Sequence, residues 1–294
     1  KFGGIVPEIA SREHLKALPL ALDTCLTKAS LSLSEIDWFA VTHRPGLIGA
    51  LLVGVSYVKA LAFATGKSFS VFNHIEAHLF SPLLVTLEKQ EAPPFPWTAL
   101  VVSGGHTELF QVKDLLDYTW LGGTLDDAAG EAFDKIGKLV GLPYPAGPII
   151  DKLVREKATE KDKQLPFPRA KVEGTQFSFS GLKTAVALKV QKSNLENENE
   201  KISILASAQE AILESLCEKT RQARDQQSGS TIVVTGGVAC NSHLREKLSE
   251  AHFPAPRHCT DNAAMVALLA GLYEKAGKLI PAPWTATAYS TGDF

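Results

Sequence analysis

The apolar positions of the chain recur with two periods, and the switches between them predict its elements. Ile9, Leu15, Leu18, Leu22 and Leu26 fall at helical spacing across residues 8–29, interrupted by Pro19, which predicts a kinked helix with a core-facing stripe. Glu8, Ser11, Arg12 and His14 form its polar start. Ile36 to Thr42 is a short run of aromatic and branched residues, a strand, and Pro45-Gly46 turns it into an apolar helix from Leu47 to Thr65 that stops at Gly66. Phe69 to Phe72 predicts a second strand, leading into Asn73-His74-Ile75-Glu76-Ala77-His78, and residues 86–96 form a polar, proline-rich break. That break predicts a first lobe of residues 1–95, completed by 262–294, and a second lobe of residues 96–261.

In the second lobe, Trp97 to Ser103 and Thr107 to Val112 predict strands joined by the tight turn Gly104-Gly105-His106. Thr124 with Asp127 three residues on predicts a helix start running to Gly141, and Gly147-Pro148 opens the next helix. Ser180 is expected to cap a helix to Lys192, residues 193–200 to form a loop, and Ile202 to Arg224 to be helical. Thr231 to Thr235 reads as a buried strand ending in Gly236-Gly237, an echo of residues 100–105, and residues 242–250 as a helix. Thr260 is expected to cap a last helix that begins at Asp261.

With 294 residues and 45% hydrophobic content the chain can bury a large core, and a net charge of -2 marks no strongly basic partner surface. No run approaches 18 apolar residues without interruption, so no membrane span is expected. Cys25, Cys217, Cys240 and Cys259 lie far apart with no CxxC pair, which fits reduced thiols in a cytoplasmic protein. The chain opens on Lys1 rather than Met, so further residues are expected before it.

The candidate chemistry centres on His74 and His78. Four residues apart on a helix, their imidazoles share one face and can share a cation, or they are a chance pair on a packing face. Two imidazoles leave open positions, as a catalytic metal needs. In the zinc-peptidase signature a general base directly follows the first histidine; here Ile75 stands there, and Glu76 points about 200° away round the helix. Gly46, Gly49 and Gly54 permit close approach of a phosphate or of another helix. The Gly104-Gly105 turn is either a plain hairpin or a nest of N–H groups for phosphate. Asp127, Glu131 and Asp134 share a helix face, as a solvated acidic stripe or as a ribose or Mg2+ site. Residues 152–171 carry seven Lys or Arg against three Asp or Glu, a solvated loop or a contact for RNA phosphates.

Eight motifs then occur in order: GGIVPE at 3–8, PGL at 45–47, HIEAH at 74–78, SGGHT at 103–107, DDAAGEAFDK at 126–135, FSFSGLKT at 177–184, TGGVACN at 235–241 and CTDNAAM at 259–265. Together they closely resemble the TsaD-type tRNA threonylcarbamoyltransferases, once called O-sialoglycoprotein endopeptidases. The resemblance implies an α/β, two-lobed fold of the actin-like, sugar-kinase and Hsp70 ATPase type with a nucleotide cleft. It implies transfer of a threonylcarbamoyl group from threonylcarbamoyl-AMP to N6 of adenosine 37, just 3′ of the anticodon, in tRNAs that read codons starting with A. His74, His78 and Asp261 match the family's metal ligands, for Fe(II) or Zn(II), with the metal as Lewis acid. Val101, Val102, Ser103, Gly104, Gly105, Asp134, Gly147, Asp151 and Asn241 match the positions that hold the adenylate or ATP, with Mg2+ a further candidate ion. The implied partners are tRNA, a shorter TsaB-like paralogue, a TsaE-like P-loop ATPase and a separate adenylate-forming enzyme.

Departures from the family pattern are the lack of an opening strand with a Cys-Asp-Glu-Thr turn, Arg44 where Gly usually precedes Pro45, and a short link from Glu250 to Cys259. Val101 stands where archaeal relatives have a tyrosine ligand, which suits the bacterial or organellar branch. Two other readings compete: a metal-dependent glycoprotein endopeptidase, opposed by Ile75, and a non-catalytic nucleotide-binding scaffold, opposed by the HxxxH pair.

Overall fold

The computed structural model describes residues 6–227 and 230–292; Gly3, Gly4 and Ile5 of the first motif lie outside them. In chain order the elements are α1 (Pro7–Ala29), β1 (Trp38–Arg44), α2 (Ile48–Thr65), β2 (Ser68–Asn73), α3 (His74–Phe80), β3 (Trp97–Val102), β4 (Thr107–Asp114), β5 (Asp117–Gly123), α4 (Ala129–Leu139), α5 (Gly147–Lys157), α6 (Ser180–Gln191), α7 (Glu198–Gln226), β6 (Thr231–Thr235), α8 (Ser242–Lys247), α9 (Pro256–Cys259) and α10 (Ala263–Lys275). They form two compact units, Lys1–Phe80 with Asn262–Phe294, and Ser81–Asp261. The division falls at Phe80/Ser81 rather than at 95/96. The start of the proline-rich stretch belongs to a 3-10 segment, Ser81–Glu88, and Ser81 Oγ meets Thr235 Oγ1 of β6 at 2.8 Å, which ties the segment to the second unit.

In the first unit β1 and β2 pair in parallel, from Trp38 opposite Ser68 to Arg44 opposite Asn73, and α2 is the crossover between them. Gly66 ends α2 at φ 68°, where a glycine is needed for the left-handed cap. Gly49 serves packing: a Cβ there would stand 2.4 Å from Ser11 Oγ of α1. Pro19 lies inside α1 as expected, but none of its apolar positions is buried; Ile9 and Leu15 are exposed. The polar start of α1 is self-satisfied, with Arg12 paired to Glu8 and Ser11 bonded to Pro7 O. Among the described residues one helix, Ile48–Thr65, is long and apolar enough to cross a membrane by those measures alone, despite the interruptions counted in sequence. Its Lys59 donates to Ala286 O within the same unit.

In the second unit the sheet order is β5-β4-β3-β6, with β3 antiparallel to β4 and parallel to β6. Every residue of β3 is buried, as a central strand covered on both faces requires. The edge strand β5, unanticipated in sequence, has an exposed outer face that includes Trp120. Leu100, Phe133, Ile136, Phe177, Ile212 and Leu216 belong to one core that joins the sheet to α4 and α7, each such burial contributing about 1.5–3 kcal/mol.

Several helix starts differ from expectation. The helix after Thr124 begins at Ala129, because Thr107 Oγ1 accepts the Ala129 N–H at 2.8 Å while Thr124 Oγ1 donates to Asp127 O. Ser180 opens α6 without capping it; Asp126 accepts the Phe179 N–H at 2.8 Å instead. The loop expected over 193–200 ends early, since Asn197 caps α7. Asn262, not Thr260, caps α10, so Asp261 lies ahead of the helix rather than in its first turn.

Candidate functional site

Strand β2 delivers the chain straight into α3. Asn73, its last residue, turns its side-chain oxygen onto the N–H groups of Ile75 and Glu76 at 2.8 and 3.4 Å, which caps the helix and fixes where its first turn begins. His74 and His78 then occupy successive turns of one face, with ring centroids 4.6 Å apart and planes at 77°. Asp261 is peptide-bonded to Asn262, the cap of α10, and α10 packs on α3. Ligand-capable atoms of His74, His78 and Asp261 all lie within 4.8 Å of one another. Two imidazoles and a carboxylate converging on one point suit Fe(II) or Zn(II) and keep positions open for oxygen ligands. His78 is fully buried and Asp261 exposed, so the group has one dry and one wet side.

Glu76, two residues after His74, accepts a hydrogen bond from Tyr273 Oη at 2.8 Å. That bond lies on the helix side away from the shared histidine face, as the 200° offset requires. Glu76 is therefore not placed as the base of a zinc-peptidase signature, and Ile75 holds the position where that signature has one.

The residues matched to the adenylate all lie in the second unit, and hydrogen bonds string most of them together. Strands β3 and β6 run side by side, Val101 opposite Thr235, so both glycine turns leave the same end of the sheet. Val101 and Val102 are wholly buried within β3, and only the turn beyond them is open: Gly104 and Gly105 are exposed, with nothing near their missing Cβ atoms. Ser103 Oγ accepts the N–H groups of Gly105 and His106 at 3.3 and 3.1 Å, so this turn spends part of its donor set on itself. Gly130 then meets the turn, its N–H donating to Ser103 O at 3.2 Å; a Cβ on Gly130 would stand 2.6 Å from that oxygen. One helical turn on, Asp134 accepts the Ala146 N–H at 2.7 Å, which caps α5 where Gly147 begins it. Burial raises the Asp134 pKa, opposed by backbone hydrogen bonds from Ala146 and Gly147. Asp151, a turn into α5, accepts both Ser242 N–H and Oγ–H, at 3.1 and 2.9 Å. Asn241 caps α8 through Leu244 N at 2.9 Å and gives its amide N–H to Gln209 Oε1 at 3.1 Å.

Sequence reasoning missed Asn73, Gly130 and Gln209. An asparagine directly before a helical HxxxH was a legible cap; Gln209, in the middle of α7, carried no local signal. Asp127 is paired with two lysines. Burial works against its charge, but Lys135 at 2.5 Å and Lys183 at 2.8 Å hold its pKa below the ordinary value. Three of the seven basic residues in 152–171 are paired, Arg169 with Glu214 and Lys163 with Glu160 at 2.6 and 2.7 Å and Lys157 with Glu198.

A family model described as TsaD, tRNA N6-adenosine threonylcarbamoyltransferase, matches residues 1–268. The chain belongs to the TsaD family. Curated relatives carrying the name tRNA N6-adenosine threonylcarbamoyltransferase include that of Chloroherpeton thalassium, 44% identical over 99% of this chain and 87% of its own length. That of Geotalea uraniireducens is 46% identical over 92% of this chain and 80% of its own length. For Thermosipho africanus the figures are 46%, 94% and 84%. Membership in TsaD accounts for the ordered motifs; the geometry adds how they are fastened to one another.

Proposed function

We propose that this chain transfers the threonylcarbamoyl group from threonylcarbamoyl-AMP to N6 of adenosine 37 in tRNAs that read codons beginning with A. The observation that carries the proposal is the convergence, in a TsaD chain, of His74, His78 and Asp261, three side chains of a kind that can hold one metal ion although 183 residues separate His78 from Asp261 (261 minus 78). A bound Fe(II) or Zn(II) would supply Lewis acidity to the carbamoyl carbonyl as the adenine amine attacks and AMP leaves. His74 and His78, locked on α3 by the Asn73 cap, and Asp261, placed by α10, would hold that ion. The open Gly104-Gly105 turn offers backbone donors, and the N-termini of α4 and α5 offer their dipoles, to the phosphate. The carboxyl of Asp134 has lone pairs beyond those used for Ala146 and Gly147, and we assign them to the ribose hydroxyls. Asp151 and Asn241 act in this proposal by holding α8 in place.

We also assign the two units to the actin-like ATPase fold, on the parallel β1–α2–β2 crossover in one and the mixed sheet in the other. The TsaB-like and TsaE-like partners belong to the same proposal, as does a cytoplasmic setting, which four free cysteines suit.

The test is reconstitution with those partners, the adenylate-forming enzyme, threonine, bicarbonate, ATP and unmodified tRNA, read by nucleoside mass spectrometry. His74→Ala and Asp261→Ala are expected to lose the modified nucleoside while circular dichroism stays that of wild type. Wild-type modification by both variants would remove the metal from the mechanism. Absence of the product with the unaltered chain and active partners would remove the activity itself.

A further inference from the structure

The first unit carries a cation that the transferase reading does not use. Arg44 is the last residue of β1, and across the parallel pairing it stands opposite Asn73, the last residue of β2, one position before His74. Neighbouring strands lie about 4.7–4.9 Å apart, so Arg44 adjoins the residue that caps the helix of both histidines. In open α/β sheets ligands lie beyond the carboxyl ends of parallel strands, and this is such an end. The backbone on either side of Arg44 is fastened within the same unit: Tyr289 N–H donates to His43 O at 2.8 Å and Gly46 N–H to Ser290 O at 3.3 Å. The side chain is not. Its Nε is buried and meets no hydrogen-bond acceptor, and among the described residues no carboxylate pairs with the guanidinium. A buried donor on a charged group is rarely left without an acceptor, and beside a ligand-bearing helix it points to an anion that arrives from outside the chain.

We propose that Arg44 binds the carboxylate of the threonyl group in the acyl donor. The inference rests on the transferase reading and deepens it. Threonylcarbamoyl-AMP presents two anionic groups, a phosphate and a carboxylate. With the phosphate at the Gly104-Gly105 turn, the ribose at Asp134 and the carbonyl at the metal, the carboxylate is the charged group left without a partner. Only a nitrogen and the α-carbon separate it from the carbamoyl carbonyl, so holding that carbonyl at the His74–His78 pair leaves the carboxylate in the neighbourhood of the pair. A guanidinium matches a carboxylate through parallel N–H···O bonds, which an ammonium cannot reproduce. In this assignment Arg44 touches neither the carbonyl nor the adenine amine, so it acts on donor affinity and not on the transfer step. It selects the acyl group, favouring a carbamoyl donor made from an amino acid over one made from a simple amine.

The experiment uses the reconstituted system with the full chain and purified donor, and measures kcat and KM for threonylcarbamoyl-AMP, KM for tRNA, and inhibition by AMP. Arg44→Gln is expected to raise the donor KM roughly 10- to 100-fold, as loss of a charge-assisted pair requires, with kcat, the tRNA KM and AMP inhibition unchanged and Arg44→Lys intermediate. A second donor, built on 1-amino-2-propanol in place of threonine, lacks only the carboxyl group. The wild type is expected to show a similar loss for it, whereas Arg44→Gln should treat the two donors alike. Both variants are checked by circular dichroism. Failure of the wild type to discriminate between the donors would overturn the proposal whatever the variants do, and so would equal discrimination by wild type and Arg44→Gln. Weaker AMP inhibition in Arg44→Gln would move the contact to the phosphate, and a rise confined to the tRNA KM would move it to the tRNA backbone; either result overturns the assignment. All of these outcomes leave the transferase reading standing, whereas no product from the wild type with active partners removes that reading and this inference together.

Discussion

Replacing Gly236 by alanine should break the second unit's paired turns, and the cost can be worked from the backbone. Gly236 sits at φ 96° and ψ 167°, a region populated almost only by glycine, so any L side chain there costs about 1–3 kcal/mol in strain. Its new Cβ would also stand 2.3 Å from Val102 O, 2.7 Å from the carbonyl carbon and 3.0 Å from the amide nitrogen. These are backbone atoms of β3, which cannot retreat without disturbing the ladders to β4 and β6, and overpacking of that kind adds ~1–3 kcal/mol. The sum is about 2–6 kcal/mol. Gly237→Ala is the control: no atom lies within 4 Å of its Cβ, its φ is not positive, and the expected change is a gain of up to about 1 kcal/mol. Urea unfolding followed by tryptophan fluorescence reports the unit through Trp97, wholly buried in β3. With a slope of about 1–3 kcal/mol/M, Gly236→Ala should lower the midpoint by roughly 1 M or more while Gly237→Ala leaves it in place or raises it by up to about 1 M. Equal midpoints for the two variants would refute the account of this turn.

Removing the phenolic hydroxyl in Tyr273→Phe takes a donor from buried Glu76 and should cost about 1–3 kcal/mol; a stability within about 0.5 kcal/mol of wild type would contradict it. Asp151→Ala removes the acceptor for Ser242 N and Oγ and should cost ~1 kcal/mol in the same assay, with Asp151→Asn recovering part of the loss. Burial favours a neutral Glu210, but hydrogen bonds from His243 and Lys247 outweigh it and hold its pKa at about 2. Its folded value thus lies below 4.5, so its stabilisation is complete above that pH and fades as pH falls towards 2. His243 is shifted upwards, chiefly by Glu210, so its share is complete below 6.5 and fades as pH rises through its folded value. The advantage of wild type over Glu210→Gln should peak at about pH 5 to 6; an advantage that is flat from about pH 3 to pH 8 would count against the ion pair.

Strands β1, β2, β3, β4 and β6 were legible because each is a short apolar run bounded by glycine, proline or polar residues. Strand β5 was not, since Asp117-Tyr118-Thr119-Trp120 lies at a sheet edge and keeps most of its side chains in solvent. The start of α4 was misplaced because Thr124 and Asp127 imitate a capping box, while the group that closes the helix, Thr107 Oγ1, arrives from 22 residues upstream. The histidine pair could be read from spacing alone. Asp261 could be reached only through the resemblance, because local rules gave it a first-turn place that Asn262 shows it does not hold. For Asp134, Asp151 and Asn241 the resemblance implied contact with a ligand, and their hydrogen bonds to α5, α8 and Gln209 of α7 required tertiary folding to be seen.

Those bonds bear on how loss-of-function data from this wall should be interpreted. Asp134 and Asp151 each hold the first turn of a neighbouring helix, so truncating either one loosens a beam as well as deleting a carboxyl group. An inactive alanine variant at these positions is therefore silent on whether the side chain ever touched a nucleotide. Amide replacements, which keep an acceptor for the neighbouring helix but discard the charge, are the substitutions that separate carpentry from recognition.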